Sequence, residues 1–138
     1  MSNSRHLVIT SSEAPPAIGP YVQGVRAEGA ALVFLSGQLG LDPVTRELSG
    51  SDVASQARTA ISNALAVLAA AGGEKQDVVK ATVFLADMSQ YAEFNRVYQE
   101  AFEPWFPARS VVGVAALPLG ALVEVELVAA LTAGVADG

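Results

Sequence analysis

Arg109 stands in the run Phe106-Pro107-Ala108-Arg109-Ser110-Val111-Val112, two residues past a proline and just inside an apolar stretch. Proline has no N–H to give a ladder and fixes its own φ, so Pro107 marks the first position of a strand rather than its middle. The guanidinium therefore enters a sheet almost at once, with Val111 two places on along the same face. A cation there needs an anion, supplied either by the protein or by a ligand. The planar guanidinium can clamp a carboxylate through two parallel hydrogen bonds, a geometry lysine lacks. The protein's own candidates are Glu124 and Glu126, within Val123-Glu124-Val125-Glu126-Leu127. A turn at Leu117-Pro118-Leu119-Gly120 would fold that strand back on the one carrying Arg109 as a hairpin, giving an internal ion pair. A register slip of one residue puts both glutamates on the other face, so the two outcomes stay open.

Glu124 lies nearer the turn and is the acid better placed beside Arg109. There it would hold and deprotonate a water, or return a proton to a substrate carbon or nitrogen. Glu126 reads equally well as part of a solvated strand face. Tyr21 follows Gly19-Pro20, which fixes where its ring stands, as a pocket wall or as a packing aromatic. Ser36-Gly37 at a strand end offers a hydroxyl and a close backbone approach. Asn63 and Asn95 read as surface or capping groups. The single histidine, His6, sits in a polar N-terminal stretch and reads as solvated. With no cysteine, disulfides, thiolate chemistry and a His/Cys zinc site are excluded, and no metal ligands are expected. A Ser-His-Asp triad would need His6 as its base.

The elements that must position these residues follow from periodicity. A short strand is expected over residues 6–10, then an ordered loop over residues 11–20, which holds three prolines and a glycine. Residues 21–27 and 31–36 read as strands joined in a hairpin through Glu28-Gly29-Ala30. Ser51 or Asp52 caps a helix whose apolar stripe is Val53, Ala57, Ala60, Ile61, Ala64, Leu65 and Leu68. Gln56, Arg58, Thr59, Ser62 and Asn63 take its other side, and Gly72-Gly73 ends it. Residues 78–85 alternate as a strand. Asp87 or Ser89 then caps a second helix carrying Tyr91, Phe94, Asn95, Tyr98, Ala101 and Phe102, which Pro104 stops. Strands over residues 108–116 and 122–131 complete the chain. Strands beside segregated helices predict an α+β layer, both helices on one sheet face. The other face, assigned Arg109, Val111, Gly113 and Ala115 with Thr82 and Phe84, is apolar enough to need a second cover, which predicts a homo-oligomer.

At 138 residues, with 51% hydrophobic and 16% charged residues, the chain predicts one globular domain with short flexible tails. The net charge of −6 and singly scattered cations count against a nucleic-acid partner. No apolar run reaches the ~20 residues of a membrane span, and the start does not suit a signal peptide, so a cytoplasmic protein is expected.

Several motifs in order carry a family resemblance. They are Ala14-Pro15 with Ile18-Gly19-Pro20-Tyr21-Val22-Gln23, Ser36-Gly37-Gln38, Asn63 with Ala70-Ala71-Gly72, Asp77 through Met88, Asn95-Arg96-Val97-Tyr98, Pro107-Ala108-Arg109-Ser110, and Leu117-Pro118 with Val123-Glu124-Val125-Glu126. Together they closely resemble the RidA (YjgF-type) imine deaminase family, collinearly from about residue 14 to about residue 130. The resemblance implies a chorismate-mutase-like fold, a single sheet with two helices on one face. It also implies a homotrimer with a barrel-like core and a site in each cleft between subunits. The implied activity is cofactor-independent hydrolysis of enamines and imines such as 2-aminoacrylate, a 2-iminobutanoate/2-iminopropanoate deaminase. By motif, Arg109 binds the substrate carboxylate, Glu124 positions water, and Tyr21, Ser36 and Gly37 line the pocket. Where the family often carries Cys and Glu, this chain has Val111 and Gly113. The Val111 N–H still serves a carboxylate, and the missing side chain at Gly113 predicts room for bulkier imino acids. The segment between Tyr98 and Pro107 is short. A non-catalytic trimer binding 2-oxo acids, an RNA endonuclease and a pathway-specific relative are the competing readings.

Overall fold

The computed structural model describes residues 5–29 and 31–132, so the expected tails fall largely outside the described residues. Its elements are strands β1 (Leu7–Ile9), β2 (Gly24–Arg26), β3 (Ala31–Phe34) and β4 (Gln38–Leu39), helix α1 (Val53–Ala70), β5 (Val78–Leu85), helix α2 (Tyr91–Phe102), β6 (Ala108–Gly113) and β7 (Val123–Leu131). Five strands make one mixed sheet in the order β3-β7-β5-β6, with β4 also on β7. The β5–β6 pair is parallel and every other pairing in that sheet is antiparallel. This is the expected α+β layer.

The expected hairpin is not formed. β2 pairs with β1 in a small separate ladder, Val8 opposite Val25, while β3 pairs with β7, Val33 opposite Ala129. The penultimate and last strands are not neighbours either, because β5 lies between them. Each earns its place through alternation. Ala81, Val83 and Leu85 of β5 and Val123, Val125, Leu127 and Ala129 of β7 are buried against the helices.

Helix α1 starts where Asp52 accepts the Ser55 N–H at 2.9 Å, the capping arrangement its sequence predicts. It ends at Gly72, whose φ of +88° suits a residue without Cβ. Its stripe Val53, Ala57, Ala60, Ile61, Ala64 and Leu68 meets Phe94, Val97, Tyr98 and Phe102 of α2 over the sheet. Gln56 belongs with this buried side, not with the solvated one. Its amide donates to the Gly50 carbonyl and accepts from the Leu122 N–H, both at 2.8 Å, tying the loop before α1 to the start of β7. Asp87 caps a 3-10 turn over Met88–Gln90, and α2 continues directly from it. His6 is buried rather than solvated, and its Nδ1 accepts the Glu28 N–H at 3.0 Å. The polar residues around it in sequence gave no sign of that backbone partner.

The sheet face away from the helices holds Leu32, Phe34, Thr82, Phe84, Val112 and Val128 in register, with Glu124, Glu126, Lys80 and Ser110 among them. Phe34 is 72% exposed, Leu32 57% and Val112 42%. That face is apolar as expected, but its membership differs. Arg109 and Val111 pair with Ala81 and Val83 and so belong to the helix side.

Candidate functional site

An isolated bridge between Val22 and Ala108 brings the loop over residues 11–20 alongside the start of β6. Tyr21 and Arg109, the neighbours of the bridged pair, therefore meet, with the guanidinium carbon 5.6 Å from the Tyr21 ring centre. From β6 the Arg109 side chain runs under α2. Nη1 donates to Asn95 Oδ1 at 2.8 Å and Nη2 to Tyr91 Oη at 3.1 Å. The guanidinium also lies 4.7 Å from the Tyr98 ring centre, 5.8 Å from Tyr91 and 5.9 Å from Phe94. Such ring faces attract a cation. None of these partners carries a negative charge, and no carboxylate forms an ion pair with Arg109 among the described residues.

The internal ion pair with Glu124 or Glu126 is thus not made, and the physical reason is twofold. β5 separates β6 from β7, and the registers place Arg109 in a row with Ala81 and Leu127 on the covered face. Glu124 stands in the row of Phe84 and Val112 on the open face. Alternation along each strand gives two faces but does not say which strands are neighbours.

Around Glu124 a second cluster forms. β4 places Leu39 opposite Glu124, and Gly37, just before β4, lies against its carboxylate. A Cβ at position 37 would overlap Glu124 Oε2, so only glycine permits this approach. Ser36 beside it is exposed. Val111 packs its side chain against the core. The predicted residues thus fall into two groups on opposite sides of one sheet: Arg109 with Tyr21, and Glu124 with Ser36 and Gly37.

Asn95, expected as a surface or capping group, instead holds the arginine. The available signal was an amide within the apolar stripe Tyr91, Phe94, Asn95, Tyr98, where a surface residue has no reason to stand. Asn63 ties the loop after β4 to α1, donating to the Leu39 and Leu41 carbonyls at 3.2 and 2.9 Å. The Tyr98 hydroxyl is fully buried with no hydrogen-bond partner among the described residues. Burial pushes that phenol well above its ordinary value, the nearby Arg109 charge opposing. The room expected beside Gly113 is already filled, since a Cβ there would come within 2.7 Å of Met88 Cγ. A flexible thioether side chain has taken the space.

The model of the endoribonuclease L-PSP family matches residues 11–131. The chain belongs to this family. Among its relatives, the protein DfrA of Myxococcus xanthus is 46% identical over 121 residues, covering 88% of this chain and 92% of DfrA. The 2-iminobutanoate/2-iminopropanoate deaminase of Bos taurus is 43% identical over 129 residues, covering 94% and 93%. Among solved structures, RidA of the Antarctic bacterium Psychrobacter sp. PAMC 21119 superposes with a TM-score of 0.70 at 41% identity, covering 91% of this chain and 99% of that one. The chain is therefore of the RidA type in sequence and in fold, within a family that includes imine deaminases and differently named members. Among the described residues, no helix is long and apolar enough to cross a membrane.

Proposed function

We propose that this chain hydrolyses reactive 2-enamino and 2-imino acids, such as 2-aminoacrylate, to the 2-oxo acid and ammonia in the cytoplasm. The sites lie between copies of a homotrimer. The observation that carries this reading is a guanidinium whose partners are an amide, a phenol and ring faces, so that its charge is left for a ligand. A 2-imino acid presents a carboxylate of matching charge. Arg109 grips it, charge-assisted hydrogen bonds contributing about 1.5–3 kcal/mol each. Tyr21 lines the same side, and the backbone N–H of Val111 supplements the clamp.

Glu124 of a neighbouring copy, with Ser36 and Gly37, supplies the other half. Its carboxylate takes a proton from water as the oxygen adds to the C=N carbon. That proton passes to nitrogen to give a carbinolamine. The carboxylate then moves the hydroxyl proton to nitrogen as the C–N bond breaks, so that ammonia leaves and a carbonyl oxygen remains. Enamines first gain a proton at carbon to become imines. Imine hydrolysis is already quick in water, so orientation and proton transfer suffice, roughly a 100- to 10,000-fold acceleration. The apolar open sheet face with Phe34, Leu32 and Val112 supports a self-association that brings the two halves together.

An RNA endonuclease would need clustered cations to meet phosphate, and a net charge of −6 counts against it. The test is to generate 2-aminoacrylate with a dehydratase, or larger imines with an amino-acid oxidase, and to time their decay. The protein should shorten the lifetime. Glu124→Ala should keep 2-oxo acid binding while losing roughly 100-fold or more in turnover. Decay as slow as in buffer would overturn the proposal, and unchanged turnover in Glu124→Ala would remove that residue's role.

A further inference from the structure

We infer that Tyr91 completes the carboxylate clamp by donating its phenol hydrogen to the substrate, a role that rests on the function proposed above. The guanidinium offers five N–H donors in a rigid fork. One is committed to Asn95 Oδ1 and one to Tyr91 Oη, which leaves the remainder for an incoming anion. In accepting from Arg109, the Tyr91 oxygen uses a lone pair and turns its own hydrogen away from the cation. That hydrogen meets no protein acceptor among the described residues, since Tyr91 occurs there only as an acceptor.

Oη and Nη2 lie 3.1 Å apart. Each carboxylate oxygen has two lone-pair directions, so a single oxygen resting on Nη2 can also accept from Oη. The other tyrosines are placed differently. Tyr98 is fully buried beneath the guanidinium, and its hydroxyl has no hydrogen-bond partner among the described residues. The Tyr21 hydroxyl faces the Ile18 N–H at 3.5 Å, at the end of its own loop. Tyr91, the first residue of α2 and only partly buried, stands at the rim of the cluster. The Asp87-capped turn before it fixes where the ring begins, and Asn95 one turn later fixes the arginine it serves.

A donor role and a merely supporting one can be told apart, because they respond oppositely to fluorination. A ring fluorine makes the phenol a stronger donor and a weaker acceptor. Calorimetric titration with pyruvate, a 2-oxo acid, would compare the wild type, Tyr91→Phe and a protein carrying 3-fluorotyrosine at position 91, with imine decay measured alongside. Tyr91→Phe should weaken pyruvate binding about tenfold or more and raise KM for the imine, with kcat little changed. The fluorinated protein should bind pyruvate more tightly than the wild type. Tyr91→Phe binding within twofold of the wild type, or weaker binding on fluorination, would overturn this role while leaving imine hydrolysis standing. A wild type that neither binds pyruvate nor shortens imine lifetimes would bring down the function and this role together.

Discussion

Two arginines in this chain reach partners far along the sequence, and they are met in opposite ways. Arg5 donates through Nη1 to Asp77 Oδ1 and through Nη2 to Glu74 Oε2, both at 2.8 Å. Asp77 is 1% exposed, and its other oxygen accepts the Glu74 N–H at 2.8 Å. The two carboxylates hold the Arg5 guanidinium above its ordinary value, the Asp77 hydrogen bond contributing most. Arg109, by contrast, donates to Asn95 and Tyr91 and has rings around it, with no carboxylate partner among the described residues. One cation fastens the N-terminal segment to the turn before β5. The other is held in place without being neutralised. A binding site for an acid needs the second kind of arginine, since a charge already paired by the protein has little left to offer.

Exchanging the two should expose the difference. Arg109→Ala should lower imine hydrolysis by roughly 100-fold or more, the loss of a charge-assisted clamp, and leave the melting temperature nearly unchanged. Timed decay of 2-aminoacrylate and a thermal melt measure both. Arg5→Ala should do the reverse, costing about 1–3 kcal/mol of stability by depriving buried Asp77 of a charged partner, with turnover kept. Equal losses of activity in the two variants would erase the distinction. The smallest effect concerns Tyr98. Its ring supports the guanidinium, but its hydroxyl is buried without a hydrogen-bond partner among the described residues. Tyr98→Phe keeps the ring and removes a group that pays desolvation, so stability should hold or rise by about 1 kcal/mol. A clear loss of stability in denaturant titration would show that the hydroxyl has a partner after all.

Local signals carried most of the elements. Asp52 before Val53 and Gly72-Gly73 after Ala70 bound α1 in sequence as they do in space, because caps are local chemistry. Alternation over residues 78–85 marked β5 at both ends. What lay beyond sequence was adjacency. Nothing in the alternation of residues 108–113 or 123–131 says that β5 stands between them. The hairpin expectations failed there and again at β2 and β3 for that reason. β6 also stops at Gly113, short of the expected residue 116. Polarity misled, since Gln56 and His6 are buried where backbone partners receive them. The candidate residues Arg109, Glu124, Tyr21, Ser36 and Gly37 were legible from residue type and position, and the motif resemblance added their roles and the Val111 N–H. Their division between two sheet faces came only from register, and the contacts of Asn95 and Tyr91 with Arg109 came from the fold.

That division gives the most direct test. Arg109 and Glu124 face opposite sides of the same sheet, so the proposed site takes one residue from each of two copies. Arg109→Ala and Glu124→Ala proteins, each inactive alone, should be unfolded together in equal amounts, refolded, and assayed for 2-aminoacrylate decay. In a cyclic trimer mixed at random, about a quarter of the interfaces would regain both residues, and about a quarter of wild-type activity should return. A mixture that refolds into mixed oligomers yet stays as inactive as its two parents would contradict a site shared between copies.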